Sequence, residues 1–250
     1  MNNLQLKNKN AIITGADSGI GKAIALLFAK EGANVAIIYH SDDKSAEETK
    51  SEVLTHRNDC IILKGDLNDW SFCESAAQTV AERWGTVDIL INNAGTQIPC
   101  DDIIELKETD IRTTFNSNII GMILFTKAVF PYLKEGSSII NTTSAVAYQG
   151  HEELLDYSAS KAAIVGFTRS LALQSKPKNI RVNAVAPGPV ATPLTKRTFN
   201  EKEEDGSKPP LQRNASTDEI APVYLFLATE ASVQITGQVL HPNGGSIING

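Results

Sequence analysis

The chain has 250 residues, and 23 Lys+Arg against 29 Asp+Glu leave a net charge of −6. That field repels nucleic acid, whose binders carry a basic surplus. A hydrophobic content of 42% with 21% charged residues excludes disorder, and a chain of this length buries roughly 70–75% of its unfolded surface, so one domain spanning residues 1–250, without disulfide or metal staple, is expected.

The first ten residues, MNNLQLKNKN, are polar and lack the apolar centre of a secretory signal. No apolar run approaches the ~18–20 residues that cross a bilayer, so a cytoplasmic protein without membrane contact is expected. Short apolar runs rich in β-branched residues then recur at 11–14, 34–39, 60–64, 88–92, 138–143, 180–186 and 238–241. Each is too short for a helix, and the near-continuous hydrophobicity of 87–91 is that of a strand covered on both faces. Helical stripes separate them, such as Ile20, Ile24, Leu27 and Phe28, then Ile164, Phe167, Thr168 and Leu171, and residues 109–134 read as one long helix. Strand and helix in alternation predict a doubly wound α/β fold with a parallel sheet of about seven strands. The compositional break is 189–213, polar and proline-ended around KRTFNEKEEDGSKPP; so long a connection is expected to be a substrate lid holding a short helix.

The first strand runs directly into Gly15-Ala16-Asp17-Ser18-Gly19-Ile20-Gly21 and then into a helix. The spacing is not GxGxxG, yet the physical needs of a pyrophosphate cradle are met. They are a sharp turn, close backbone approach and free N–H groups at the positive end of a helix. A glycine-rich turn also serves any tight strand-to-helix connection, so this segment alone is a weak signal.

Tyr157 and Lys161 stand four apart in a helical segment, which places them on one face. No other tyrosine of the chain has a lysine at that spacing. A free phenol, with a pKa of about 10, is a poor base at neutral pH; an adjacent ammonium favours its ionised form and suits it to exchange a proton with a substrate oxygen. Ser144 follows the strand 138–143 at the carboxyl edge, where open α/β sheets place ligands. A serine also ends strands routinely, and by position alone both readings stand.

Thr14-Gly15-x-x-x-Gly19-Ile20-Gly21, Asn92-Asn93-Ala94-Gly95, Ser144, Tyr157-Ser158-Ala159-Ser160-Lys161 and Pro187-Gly188 occur in that order along nearly the whole chain. Together they resemble the short-chain dehydrogenase/reductase family in its ~250-residue form, nearest to its bacterial glucose/ribitol-dehydrogenase-like branch. The resemblance implies a Rossmann-type fold, a nicotinamide cofactor, and Ser144, Tyr157 and Lys161 acting on a substrate oxygen. It implies that Asn118 relays protons between Lys161 and solvent, with a locally satisfied helix kink as the alternative. It places the cofactor on Gly15, Asp17, Ser18, Gly19, Ile20 and Gly21, then on Tyr39 and His40 at the end of the second strand. Asp66 and Leu67 would meet the adenine, Asn92, Ala94 and Gly95 the adenosine side, and Pro187, Gly188, Val190 and Thr192 the nicotinamide, beside Tyr157 and Lys161. A homotetramer built on the helices 109–134 and 158–175 and the last strand is also implied.

Where a carboxylate at the end of the second strand would hold a ribose 2′-OH, this chain has Tyr39 and His40. That favours NADP(H), with His40 and Lys44 as phosphate partners, while NAD(H) stays open because Asp42 and Asp43 are near. The four histidines and three cysteines show no metal spacing, and no metal is expected. The expected activity is interconversion of an alcohol and a carbonyl on a small molecule, with Gln97, residues 145–151 and residues 190–194 around the substrate. The other class kept open is a scaffold or sensor that holds NADP(H) without turnover.

Overall fold

The computed structural model describes residues 4–56, 58–198 and 209–246. The apolar runs form β1 (Asn10–Thr14), β2 (Asn34–Tyr39), β3 (Cys60–Lys64), β4 (Val87–Asn92), β5 (Leu133–Thr142), β6 (Arg181–Val185) and β7 (Val239–Leu240). They make one seven-stranded sheet in the order β3-β2-β1-β4-β5-β6-β7, every pair parallel. The helices between them are α1 (Gly19–Lys30), α2 (Asp43–Leu54), α3 (Trp70–Trp84), α4 (Glu108–Phe115), α5 (Gly121–Val129), α6 (Val146–Gln149), α7 (Leu155–Gln174), α8 (Pro193–Thr198) and α9 (Thr217–Ala228).

Strand alternation explains the two-faced burial. Ile13, Ile37 and Ile91 point into a core with Ile24 and Phe28 of α1 and Tyr224 of α9. Their neighbours Ile12, Ile38 and Leu90 point the other way, onto Val80 of α3, Phe125 of α5 and Leu171 of α7. Both faces being covered, the strands read as unbroken apolar runs, and burial of each such side chain contributes about 1.5–3 kcal/mol.

Strand order reverses between β1 and β4, which opens a crevice beyond their carboxyl ends. Hydrogen bonds tie its two walls together. Asn93 N and Ala94 N donate to Thr14 Oγ1 at 2.9 and 3.0 Å, and Asn93 Nδ2 donates to the carbonyls of Thr14 and Gly15 at 3.1 and 3.2 Å. At the opposite, amino edge the buried Asp88 accepts from Asn10 N at 3.0 Å and pairs with Lys9 at 3.4 Å and Lys134 at 2.6 Å.

The single helix expected over 109–134 is instead interrupted twice. A π-helical turn, Asn116–Ile120, separates α4 from α5, and a 3₁₀ turn, Phe130–Tyr132, ends the helical run. Pro131 has no N–H to continue the ladder, so Leu133 already pairs with Val87 as the start of β5. Of the connection 189–213, the structure shows a bridge from Val190 to Ala215 and the short helix α8. The rest of the expected lid, 199–208, lies outside the described residues.

Gly21 fixes α1 on the turn before it: a Cβ there would fall 2.1 Å from the Gly15 carbonyl oxygen, a backbone atom that cannot move aside cheaply. Gly21→Ala is expected to lower stability by about 2–3 kcal/mol, read as the midpoint of denaturant unfolding. An unchanged midpoint would show that helix and turn do not need this close approach.

Candidate active site

A cleft of about 1240 Å³ opens at the carboxyl edge of the sheet. It exceeds the roughly 300–1,000 Å³ of pockets for drug-sized ligands, as a site for a dinucleotide together with a substrate must. The glycine loop brings Gly15, Asp17, Ser18, Gly19 and Ile20 to its wall. Gly21 does not reach the wall; its task is the packing described above. Ser18 precedes α1 without forming a side-chain cap, so the first amides of the helix keep their donors for a ligand. Absent caps, positive-φ glycines at 15 and 19 and a roomy cleft together fit a pyrophosphate cradle.

Asp66, Leu67, Ala94, Gly95, Pro187, Gly188, Val190 and Thr192 also line the cleft. Asn92 does not. It is 4% exposed, and its amide donates to Thr126 Oγ1 at 2.9 Å and Asn141 Oδ1 at 2.8 Å, inside the sheet. The reason is parity: Asn92 shares its side of β4 with Leu90, while Asn93, one residue on, faces the cleft. Asn93 was missed although the same alternation points to it.

At the end of β2, Tyr39 and His40 border the cleft. The Tyr39 hydroxyl donates to Asp43 at 2.9 Å, and Lys64 pairs with the same carboxylate at 2.8 Å. Asp42 is equally engaged, capping α2 by accepting from Ser45 N at 3.0 Å. Lys44, expected as a phosphate partner, does not line the cleft; its exposed chain lies 3.9 Å from Glu48. Position 44 falls within the first turn of α2 and faces outward.

Ser144, Tyr157 and Lys161 converge on the opposite wall. Thr143 Oγ1 donates to the Lys161 carbonyl at 2.7 Å, which clamps α7 to the end of β5. The Lys161 ammonium is buried, donates to the Thr142 carbonyl at 2.9 Å and stands 5.5 Å from the Tyr157 ring centre. Burial governs both titrating groups. It pushes the Tyr157 phenol up to about 12, opposed by a hydrogen bond with Ser144, and pushes Lys161 down to about 8. In the protein alone desolvation holds the phenol protonated, and the Lys161 ammonium spends one donor on the Thr142 carbonyl.

Asn118 is fully buried in the π-helical turn and does not line the cleft. Its Oδ1 accepts from Thr96 N at 2.7 Å, and its Nδ2 donates to Thr96 O and Ser160 Oγ, both at 2.9 Å. The side-chain amide of Asn118 is thus satisfied locally within the π-helical turn. The network reaches α7, because Ser160 Oγ donates to the Tyr157 carbonyl at 2.7 Å. Ser160 was missed; its place three residues after Tyr157, on the same face, is the signal that could have found it.

Around the substrate end, Gln97, Ala145, Val146, Gln149, His151 and residues 190–194 line the cleft. His151 is not a free loop side chain: its Nδ1 accepts from Glu153 N at 3.2 Å. Gln97 Nε2 donates to Thr198 Oγ1 at 2.9 Å, joining the loop after β4 to α8. Lys196, Arg197, Gln212 and Arg213 were not anticipated, because nothing in the polar run around them marks which residues turn inward.

A family model described as enoyl-(acyl carrier protein) reductase matches residues 15–246. The protein belongs to the short-chain dehydrogenase/reductase family. It is 46% identical over 98% of its length to an Arabidopsis thaliana protein named glucose and ribitol dehydrogenase homolog 2, covering 88% of that relative. It is 45% identical, with the same two coverages, to the NADPH-dependent aldehyde reductase 1, chloroplastic, of that plant. A short-chain dehydrogenase from Burkholderia cenocepacia J2315, solved in complex with NADP, superposes with a TM-score of 0.91 at 32% identity, over 96% of this chain and 98% of that one. The short-chain dehydrogenase/reductase fold thus puts the three converging groups and the glycine loop in one cleft. Among the described residues no cluster that could hold a metal ion is found, and no helix is long and apolar enough to cross a membrane.

The buried ammonium has a consequence for stability. Folded Lys161 titrates near 8, below its ordinary value of 10.5, so between these pH values the unfolded chain binds the extra proton. Stability from this group therefore rises as pH climbs from about 8 to about 10. Lys161→Met is expected to abolish that rise in the unfolding midpoint; superimposable pH profiles would show that the ammonium is hydrated.

Proposed function

We propose that the protein interconverts an alcohol and a carbonyl by hydride transfer to and from a nicotinamide dinucleotide, with NADP(H) preferred. The observation that carries this reading is the convergence of Ser144, Tyr157 and Lys161 on a cleft continuous with the glycine loop. When bound, the nicotinamide ring supplies or accepts the hydride. The chain's own groups handle the oxygen and its proton. Ser144, already hydrogen-bonded to Tyr157, holds the substrate oxygen beside the phenol. Burial keeps the phenol protonated, which suits it to donate to the oxygen of a carbonyl being reduced. In the other direction it must first lose that proton to solvent, and the Lys161 ammonium, 5.5 Å from the ring centre, is placed to stabilise the phenolate. Asn118 acts as a positioning residue here, bracing Thr96 and Ser160 so that α7 presents Tyr157 and Lys161 together.

Tyr157→Phe is expected to leave dinucleotide affinity within about twofold while turnover falls about 10²-fold or more. The measurement is a panel of sugars, polyols, aldehydes, ketones and an enoyl thioester, followed by nicotinamide absorbance, beside a binding titration. Full activity of the variant removes Tyr157 from the mechanism, and tight binding without turnover on any compound points to a sensor.

The preference for NADP(H) is supported by the end of β2, where Asp43 is neutralised by Lys64 and Asp42 is committed to a helix cap. His40 and Ser41 border the cleft instead, and neither repels a 2′-phosphate. NADPH is expected to bind more tightly than NADH in direct titrations; a tighter NADH complex overturns this preference.

A further inference from the structure

Helix α8 lies over the glycine loop. A Cβ built on Gly19 would meet Thr192 Cβ and Cγ2 at 3.7 Å and Pro193 Cδ at 3.8 Å, so the start of the helix sits in van der Waals contact with the turn that opens α1. Both ends of α8 are fastened. Thr192 and Thr195 bond each other reciprocally, Thr195 N to Thr192 Oγ1 at 3.2 Å and Thr192 N to Thr195 Oγ1 at 3.0 Å, and Gln97 holds Thr198 at 2.9 Å. Arg197 follows Pro193 by four positions, which puts it on the helical face turned to the glycine loop. It lines the same cleft as Asp17, Ser18 and His40. Its charge reaches the loop, for it pulls the Asp17 carboxyl downward against the burial that raises it. Among the described residues Arg197 forms neither a hydrogen bond nor an ion pair, and its guanidinium lines the cleft.

We infer that Arg197 is a cofactor-phosphate ligand carried by α8, its guanidinium taking phosphate oxygens of the dinucleotide from the side opposite to the α1 amides. This rests on the dinucleotide reading above. The planar fork of arginine suits two phosphate oxygens at once, and the charge counters the acidity of Asp17, which would otherwise repel an anion. The chemistry is shared by the pyrophosphate and by a ribose 2′-phosphate, and fragments separate the two. Because Gln97 bonds the residue next to Arg197, substrate-side and cofactor-side contacts meet on one short helix.

The experiment is equilibrium titration of NADPH, NADH, ADP and adenosine 2′,5′-bisphosphate into the wild type, Arg197→Ala and Arg197→Lys at two salt concentrations. Arg197→Ala is expected to weaken binding about tenfold and to flatten its salt dependence, with Arg197→Lys recovering part of the loss. A loss shared by NADPH, NADH and ADP assigns Arg197 to the pyrophosphate. A loss confined to NADPH and adenosine 2′,5′-bisphosphate assigns it to the 2′-phosphate. Being exposed, Arg197 is not expected to move the unfolding midpoint, which serves as the control for folding. Wild-type binding with unchanged affinities in Arg197→Ala overturns the inference alone; a wild type that binds none of the four ligands overturns the dinucleotide reading and this inference with it.

Discussion

The hydrogen bonds between Thr14 and the Asn93–Ala94 backbone decide the shape of the site. Where strand order reverses, two neighbouring strands send their chains to opposite faces, and nothing in a sheet ladder holds the diverging ends. One threonine hydroxyl accepting two amides, with the Asn93 amide reaching back to Thr14 and Gly15, fixes the crevice width and sets the glycine loop against Ala94. The glycine loop's place on the cleft wall, beside Ala94 and Gly95, follows from that junction.

At the other end of the cleft, desolvation and charge act against each other. A buried phenol resists ionisation and a buried amine resists protonation; their four-residue spacing on α7 holds them a short distance apart, and Thr143 clamps that helix to the end of β5. Stabilising an ion pair there requires geometry fixed beforehand, since neither group is solvated well enough to reorganise cheaply. The π-helical turn at Asn116–Ile120 supplies part of that rigidity, because Asn118 within it makes three hydrogen bonds to two residues, Thr96 and Ser160.

The strands were legible because both faces of the sheet are buried; a run such as 87–91 has no solvent side to interrupt it. The glycine loop and the Tyr157–Lys161 pair were legible because each is local, its meaning set by residues a few positions apart. What failed was non-local. Leu133 joins β5 through a partner 46 positions away, at Val87, and the polar residues after it hide the strand. Asn92 and Asn93 are chemically identical, and only their register against Leu90 separates a sheet tie from a cleft wall. The fate of Asn118 depended on Thr96 and Ser160, and the orientation of Arg197 on where α8 comes to rest over Gly19.

The clasp at Asp88 lies at the far rim of the sheet from all of this. Two lysines and a backbone amide converge on one carboxylate there, anchoring β1, β4 and β5 from below without any residue of the cleft taking part. Cohesion and chemistry are thereby housed at opposite poles of the molecule. Loops at the upper rim are free to change length and composition, and so to reshape the cleft, while the scaffold beneath them stays bolted.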